Sequence, residues 1–299
     1  MSRIKEMLNL RLLSFAFAIT LVFTLYAQEP ADAIESEVVI HQVDTVSVYS
    51  TKMDKDIKNV VIVPAQYFDE DEKEVPYSVV YLLHGYSGKY SDWIKHKPEL
   101  EDLASQYDMI FVCPDGQDSW YFDSPIDPKM QFETYITQEL IPFIDENYRT
   151  RGDGANRGIA GLSMGGHGAL WLAFRHPDLF SACGSMSGGV DITSFPDKWK
   201  IKDRLGEYAS NKGVWDSHSV LGLVPTYANK GQHIIFDCGS SDFMFDVNNK
   251  LHDALLKKGV AHDYIVRPGT HNWEYWTNSL DYQLLFFSKV FDSLQGGAE

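Results

Sequence analysis

The chain has 299 residues, of which 44% are hydrophobic and 23% charged, and its formal net charge at pH 7 is -16. This composition excludes a disordered, collagen-like or multi-pass membrane protein, because the apolar content is near the globular norm. The excess of 42 acidic over 26 basic residues repels phosphate backbones, so we expect no nucleic acid partner.

The N-terminus has the pattern of a secretory signal peptide. Three basic residues precede an apolar run over residues 12–25, and Ala27 is the small residue that a signal peptidase needs beside its cut. Because the run is shorter than the roughly 20 residues of a spanning helix, a membrane anchor is the less favoured alternative. We therefore expect cleavage of residues 1–27, one catalytic domain over residues 28–299, export to the periplasm or beyond, and no stable membrane insertion afterwards.

The cysteine content predicts no disulfide framework. The three cysteines, Cys113, Cys183 and Cys238, cannot all pair within one chain. Each lies in an apolar or glycine-rich context at the end of a strand-like run, where a thiol usually behaves as a small buried hydrophobe.

Short apolar runs alternate with amphipathic segments from residue 38 onward. Residues 46–49 and 60–63 predict an antiparallel pair at a sheet edge, because no helical stretch separates them. Continuous apolar runs, typical of strands covered on both faces, follow at residues 79–83, 109–112, 234–236 and 264–266. Helical periodicity predicts helices over residues 132–144, 247–255 and 276–291, with a kink or restart at Pro142. This order predicts an α/β fold, with a mostly parallel twisted sheet, an antiparallel N-terminal edge and helices on both faces.

Two segments depart from this alternation. Residues 69–74 form a nearly unbroken acidic run, which indicates a solvated loop between strands, with a cation site as the alternative. Residues 190–229 are rich in charge and contain Trp199 and Trp215. They predict either connecting helices or a cap over the active site, and the sequence leaves both open, since long insertions in compact domains are often functional.

The strongest chemical motif is a G-x-S-x-G sequence centred on Ser163. A short strand-like run over residues 157–160 precedes it and a helix-forming run over residues 169–174 follows it. A strand that feeds a sharp turn and then a helix holds a nucleophilic serine in a strained, exposed position. Glycine is required at Gly161 and Gly165, because side chains there would collide with neighbouring backbone. The alternative, a glycine-rich phosphate loop, lacks the following lysine.

A serine hydroxyl needs a base and an acid that orients the base, and in this arrangement both follow the serine in the chain. Asp242 lies just past the run at residues 234–236 and is the predicted acid. Its competitors are Asp237, which closes that strand, and Asp246, which is typical of a helix start.

His271 follows the run at residues 264–266 and is the predicted base. Loops at the carboxyl ends of parallel strands share one edge of the sheet, so His271 can meet Ser163 and Asp242. Among the other histidines, His84 is expected to shape its loop, and His167 precedes the acid, which is the wrong order.

The tetrahedral intermediate of ester cleavage needs backbone donors aimed at its oxyanion. The N–H of Met164, directly after the serine, is one predicted donor. The other is the N–H of Tyr86 in the loop at residues 84–88, whose glycines let backbone approach the reacting carbonyl. A plain glycine turn is the alternative.

At these motifs the chain resembles the esterase D group of α/β hydrolases, over roughly residues 45–294. That group includes S-formylglutathione hydrolases, tributyrin-type carboxylesterases, feruloyl and acetylxylan esterases, and mycolyltransferases. The resemblance is carried by Leu82-Leu83-His84-Gly85-Tyr86-Ser87-Gly88, Ser91-Asp92-Trp93, Asp118-Ser119-Trp120-Tyr121, Gly161-Leu162-Ser163-Met164-Gly165-Gly166-His167-Gly168, Gly239-Ser240-Ser241-Asp242 and Gly269-Thr270-His271-Asn272-Trp273.

The resemblance implies an α/β-hydrolase fold, the same triad and the same two oxyanion donors. It also suggests a place beside the acyl or alcohol pocket for Trp120 and Tyr121, and Trp273 is a similar candidate. The S-formylglutathione hydrolases are disfavoured, because they carry a cysteine-containing oxyanion loop and this chain has a predicted signal peptide.

We therefore expect an exported serine carboxylesterase that works through an acyl-enzyme and needs no metal or cofactor. Feruloyl or acetyl esters of plant-wall polysaccharide are the leading substrates. A general short-chain carboxylesterase, an acyltransferase that uses the same triad, and a non-catalytic carbohydrate-binding relative are the alternatives, in that order. The sequence does not indicate the oligomeric state.

Overall fold

The computed structural model describes residues 42–227 and 229–296. The predicted signal peptide, residues 1–27, lies outside the described residues. The described elements form one mixed sheet with helices packed on it.

Eight strands make up the sheet in the order β1-β2-β4-β3-β5-β6-β7-β8. β1 pairs antiparallel with β2, and β2 pairs antiparallel with β4, whereas every later pair is parallel. The predicted α/β fold with an antiparallel N-terminal edge is thereby confirmed. The strands are β1 Val43–Ser50, β2 Lys55–Ile62, β3 Ser78–Leu83, β4 Met109–Pro114, β5 Arg157–Leu162, β6 Ala182–Met186, β7 His233–Gly239 and β8 Asp263–Arg267.

The helices lie between and after the strands. They are α1 Asp92–His96, α2 Leu100–Tyr107, α3 Phe132–Thr134, α4 Ile141–Asn147, α5 Met164–Arg175, α6 Ile201–Leu205, α7 Lys212–Ser217, α8 Val220–Leu223, α9 Phe245–Lys258 and α10 Trp273–Gly296. Single 3₁₀ turns lie at Ala65–Phe68, Glu70–Glu72, Gly154–Asn156, Ile192–Ser194 and Tyr208–Ser210. Among the helices of the described ranges, none combines the length and apolar character needed to cross a membrane.

The central strands are covered on both faces, as their apolar runs predict. Every residue of β3, β4 and β5 is buried. On one face, α10 packs the side chains of Leu280, Leu284 and Phe287 against them in the main core. Burial of this kind is worth about 1.5–3 kcal/mol for each such side chain.

The helix predicted around residues 132–144 is interrupted in the structure. A π-helical segment, Tyr135–Leu140, joins α3 to α4, and Pro142 lies in the first turn of α4. The backbone is helical on both sides of Pro142, and the N–H of Ile141 donates to the carbonyl of Ile136, so the expected restart at Pro142 is not seen. The departure from a regular α-helix lies in the π-helical segment before the proline.

The three cysteines are buried in the strands and form no disulfide. Cys113 lies in β4, Cys183 in β6 and Cys238 in β7. Burial raises the pKa of each thiol far above its usual range. They serve as small apolar side chains, as predicted.

Candidate active site

Ser163 occupies the turn between β5 and α5. Its φ is +54°, a left-handed conformation that non-glycine residues adopt only when their surroundings impose it. A Cβ at Gly161 would lie 2.4 Å from the backbone of Gly165, and one at Gly165 would lie 2.4 Å from the carbonyl oxygen of Leu83. The two glycines thus permit the turn that lifts Ser163 above the sheet, as the motif predicts.

His271 lies within hydrogen-bond distance of both Ser163 and Asp242. His271 Nε2 is 2.9 Å from Ser163 Oγ, and His271 Nδ1 is 3.0 Å from each carboxylate oxygen of Asp242. Asp242 is buried, and its Oδ1 also accepts a hydrogen bond of 2.8 Å from the N–H of Met244. The loops after β5, β7 and β8 therefore converge at the carboxyl edge of the sheet, as expected for parallel strands.

The competing acids lie elsewhere. Asp237 is buried in β7, where it accepts hydrogen bonds from Ser279 Oγ at 2.7 Å and Gln283 Nε2 at 2.8 Å. Burial raises its pKa. Asp246 lies in the first turn of α9, as its predicted helix-start position requires.

The ring nitrogens of the competing histidines lie at backbone groups and not at Ser163. His84 is buried at the end of β3, and its Nε2 accepts a hydrogen bond of 2.8 Å from the N–H of Gly116. Its Nδ1 therefore carries the proton and donates to the carbonyl of Gly85, 2.8 Å away. His167 is buried in α5, with its Nε2 2.8 Å from the carbonyl oxygen of His218, and burial lowers its pKa to about 4.

Both predicted oxyanion donors flank Ser163. Met164 is the first residue of α5, so its N–H has no intrahelical acceptor. Tyr86 lies in the loop after β3 and lines the same cavity as Ser163. Gly85 allows this approach, because a Cβ there would lie only 2.6 Å from Leu162 Cδ1.

Ser163 and His271 open into a cavity of about 420 Å³. Aromatic side chains supply much of its wall, on segments that are far apart in the chain. The lining residues are Gly85, Tyr86, Ser87, Gly88, Asp92, Leu162, Ser163, Trp199, Phe243, His271, Trp273 and Trp276.

The three aromatic residues suggested as pocket residues have different positions. Trp273 lines the cavity and stacks on His96 with ring centroids 4.2 Å apart. Trp120 and Tyr121 do not line it, and they are only 1% and 0% exposed. The expectation that these two side chains contact substrate is therefore corrected: they are packed behind the cavity wall.

Trp199 and Phe243 are cavity residues that the sequence did not single out as substrate contacts. Their rings stack at 5.9 Å with an angle of 24° between them, and Phe243 lies 4.4 Å from the ring of His271. A signal was present for each, since Phe243 directly follows the predicted acid and Trp199 lies in the insertion at residues 190–229. The insertion consists of short helices and also contributes to the site, so its two interpretations are compatible.

In the part of the chain that the structure describes, no group of three or more His, Cys, Asp or Glu side chains is placed to hold a metal ion. The acidic run at residues 69–74 contains the exposed 3₁₀ turn Glu70–Glu72 between β2 and β3.

The sheet order, the serine at the strand-to-helix turn and the Ser–His–Asp contacts together define a serine hydrolase with the α/β-hydrolase fold. Residues 50–287 match the Esterase family, and the chain belongs to that family. It is a serine ester hydrolase.

Relatives and solved structures agree with this class. An acetyl esterase of Caldicellulosiruptor saccharolyticus is 26% identical over 268 residues, which cover 83% of this chain and 98% of the relative. An endo-1,4-beta-xylanase/feruloyl esterase of Xylanibacter ruminicola is 28% identical over 201 residues, 64% of this chain but only 25% of that longer protein. The solved structure of a ferulic acid esterase has a TM-score of 0.71 and 29% identity, and the match covers 83% of this chain and 98% of that one.

Proposed function

We propose that this esterase cleaves feruloyl or related aromatic acyl esters of plant-wall polysaccharide. The observation that carries the proposal is the aromatic wall around Ser163, formed by Trp199, Phe243, Trp273 and Trp276. Flat aromatic side chains favour a flat aromatic ring through stacked and edge-to-face contacts.

The size of the cavity supports the same choice. Its volume of about 420 Å³ falls in the range of roughly 300–1,000 Å³ that suits ligands larger than an acetyl group. Phe243 is 56% exposed although it is large and apolar, and a bound aromatic ring would cover it. Acetyl esters remain the second candidate, because the acetyl esterase of C. saccharolyticus aligns over nearly its whole length.

The proposed reaction proceeds through an acyl-enzyme. Ser163 Oγ attacks the ester carbonyl while His271 Nε2 takes its proton, and Asp242 holds the imidazole in the tautomer that can accept it. The N–H groups of Tyr86 and Met164 stabilise the oxyanion. His271 then returns the proton to the departing alcohol oxygen, and a water molecule, activated in the same way, releases the acid and regenerates the serine.

We propose further that the enzyme acts outside the cytoplasm. The basic start, the apolar run at residues 12–25 and the small Ala27 support export and cleavage. Polymeric plant-wall esters are met only outside the cell, so export fits the proposed substrate. N-terminal sequencing of the protein from an expressing culture tests this: a mature chain that begins at Gln28 and is absent from the cytosol is expected, and an intact cytosolic chain would contradict it.

The substrate proposal is tested with purified enzyme on methyl ferulate, feruloylated arabinoxylan, acetylated xylan and p-nitrophenyl acetate, with Ser163→Ala as the control. We expect a higher kcat/KM on feruloylated arabinoxylan than on acetylated xylan, and no turnover of any ester by Ser163→Ala. A preference for acetylated xylan would overturn the aromatic assignment. Residual activity in Ser163→Ala would overturn the triad, and acyl transfer to added sugar acceptors in place of acid release would identify an acyltransferase.

A further inference from the structure

The segment at residues 116–121, directly after β4, is hydrogen-bonded to the loop that carries Tyr86. The N–H of Gly116 donates to His84 Nε2 at 2.8 Å, and the Tyr121 hydroxyl donates to the His84 carbonyl at 3.1 Å. Asp118 Oδ1 accepts a hydrogen bond of 3.2 Å from the N–H of Ser87. Three hydrogen bonds thus join this segment to the loop at residues 84–88.

The same segment also holds the insertion that carries Trp199. The indole N–H of Trp120 donates to the Trp199 carbonyl at 3.2 Å. Lys200 Nζ donates to Asp118 Oδ2 at 3.0 Å, and Arg204 Nε donates to the Asp118 carbonyl at 3.2 Å. The burial of Trp120 therefore has an explanation: its ring supports the cavity wall from behind.

Asp118 is the residue that both sets of contacts share. One carboxylate oxygen accepts from Ser87 and the other from Lys200, and the side chain is only 22% exposed. The hydrogen bond and the charge of Asp118 raise the pKa of Lys200. The two partners belong to segments more than 100 residues apart, and each borders a residue that lines the cavity.

The partners of Asp118 lie in segments whose backbone has an unfavourable conformation. Ser87 has a φ of +60°, and the consecutive residues Trp199 and Lys200 have φ values of +49° and +54°. Non-glycine residues persist in this left-handed region only where surrounding contacts impose it. Ser87 directly follows Tyr86 and Lys200 directly follows Trp199, so loss of the Asp118 contacts would move an oxyanion donor and a wall residue.

We propose that Asp118 is a positioning residue. It holds the loop at residues 84–88, which carries Tyr86, and the segment at residues 199–200 in a fixed position relative to each other. Through Ser87 it acts on the stabilisation of the transition state, and through Lys200 it acts on the binding of esters that reach Trp199. The proposal rests on the proposed oxyanion hole and aromatic wall.

Three variants separate the two actions of Asp118. Asp118→Ala removes both contacts. Asp118→Asn keeps an oxygen acceptor for Ser87 but loses the charge that faces Lys200. Lys200→Met removes only the contact between the Asp118 carboxylate and Lys200.

Asp178→Asn and Lys230→Met are matched controls, because these residues form an exposed ion pair away from the cavity, with Nζ and Oδ1 3.8 Å apart. The assay measures kcat and KM for p-nitrophenyl acetate and methyl ferulate, per active site titrated with a fluorophosphonate.

Asp118→Ala should lower kcat about tenfold on both esters, which is less than the roughly 10²–10³-fold cost of removing an oxyanion donor outright. Asp118→Asn should restore kcat on p-nitrophenyl acetate to within about twofold, because an amide oxygen still accepts from Ser87. Asp118→Asn and Lys200→Met should each raise KM for methyl ferulate about fivefold, as expected when a side-chain stacking contact is partly lost. The two controls should match the parent enzyme on both esters.

Unchanged kcat per titrated site in Asp118→Ala would overturn the proposal, since a merely structural role lowers the number of active sites and not their turnover. Equal losses in Asp118→Asn and Asp118→Ala on p-nitrophenyl acetate would overturn the link through Ser87. A Lys200→Met variant with the parent KM for methyl ferulate would overturn the link to Trp199. Asp118→Asn and Lys200→Met decide the matter even where Asp118→Ala fails to fold. Failure of the proposed function itself is recognised separately, by a preference of the parent enzyme for acetylated xylan over feruloylated arabinoxylan.

Discussion

Asp242 directs both oxygens of its carboxylate at one nitrogen of the His271 ring, Nδ1. Both of its oxygens lie 3.0 Å from His271 Nδ1, and Oδ1 is also bound to the N–H of Met244 at 2.8 Å. An acceptor at this position requires the proton on Nδ1, which leaves Nε2 free to accept from Ser163. The orientation of the base thus depends on one buried side chain.

Asp242→Asn should therefore lower kcat by about 10⁴-fold on p-nitrophenyl acetate while the fold persists, because an amide N–H facing Nδ1 favours the wrong tautomer. Asp246→Asn, in the first turn of α9, is the matched control and should keep the parent activity. Steady-state kinetics together with circular dichroism check the result. Comparable turnover in the two variants would remove Asp242 from the triad.

Gly165 occupies a position where any side chain meets backbone. A Cβ there would lie 2.4 Å from the carbonyl oxygen of Leu83 and 2.6 Å from that of His84, and neither can move without displacing β3. Gly165→Ala should lower the free energy of unfolding by about 1–3 kcal/mol or more, as overpacked cores do. Gly213→Ala in α7 is the control, since nothing lies within 4 Å of a Cβ at that position. Urea unfolding measures the free energy of unfolding of both variants. Equal values for the two would refute the steric argument.

At this scale the sequence predicted the positions of the site residues from their order and context. His271 does lie within hydrogen-bond distance of both Ser163 and Asp242, and the catalytic roles of the three residues stay predictions until the variants are measured. Trp120 and Tyr121 were misplaced, because a motif reports that an aromatic side chain lies near the site and not which way it points. Both side chains are buried, although both residues lie in a turn with positive φ.

Most strands could be predicted because they are buried on both faces and are rich in branched and aromatic residues. β6, Ala182–Met186, was missed, since it consists mainly of small residues. The structure gives the reason: a Cβ on Gly184 would lie 2.2 Å from Gln283 Oε1 and 3.2 Å from the ring of Phe287. α10 packs so closely on this strand that it excludes the large side chains by which a strand is recognised.

The insertion could not be placed from its sequence, because its position depends on contacts with distant segments. Trp199 is held by the Trp120 indole and stacks on Phe243, and neither partner is near it in the chain. Local periodicity carries no information about such contacts. The sequence therefore left two interpretations of the insertion open, connecting helices or a cap over the active site. In the structure it forms short helices and also contributes Trp199 to the wall of the cavity.

Phe243 and Trp199 form one wall element that should favour aromatic esters. Phe243→Ala should raise KM for methyl ferulate roughly two- to tenfold, since an aromatic pair is worth about 0.5–1.5 kcal/mol, and should change KM for p-nitrophenyl acetate less. Phe68→Ala is a matched control, because Phe68 is 48% exposed and does not line the cavity. A parent-like KM for methyl ferulate in Phe243→Ala would argue against stacking at this wall.

The stability of the whole molecule should fall in mild acid, in part because of His167. Burial lowers the pKa of this histidine to about 4 in the native protein, whereas an unfolded histidine titrates near about 6.5. Between these values the unfolded chain binds a proton that the native protein does not, so stability decreases as the pH falls from about 6.5 to 4. The full contribution is about 3 kcal/mol and is present above pH ~6.5.

Urea unfolding of the parent and of His167→Gln at pH 7.5 and pH 5 tests this link. The parent should lose more free energy of unfolding between the two pH values than the variant, because glutamine has no proton to bind. His218, whose pKa burial also lowers, is present in both proteins. Identical losses would show that His167 does not control the acid sensitivity.

The three buried thiols determine how the fold responds to reducing conditions. Cys113, Cys183 and Cys238 are each unpaired and lie inside strands, so the native fold is held by packing and hydrogen bonds and by no covalent cross-link. Folding then needs no disulfide formation, and a reductant has no such bond to break, so we expect the protein to fold in a reducing buffer as well as in an oxidising one.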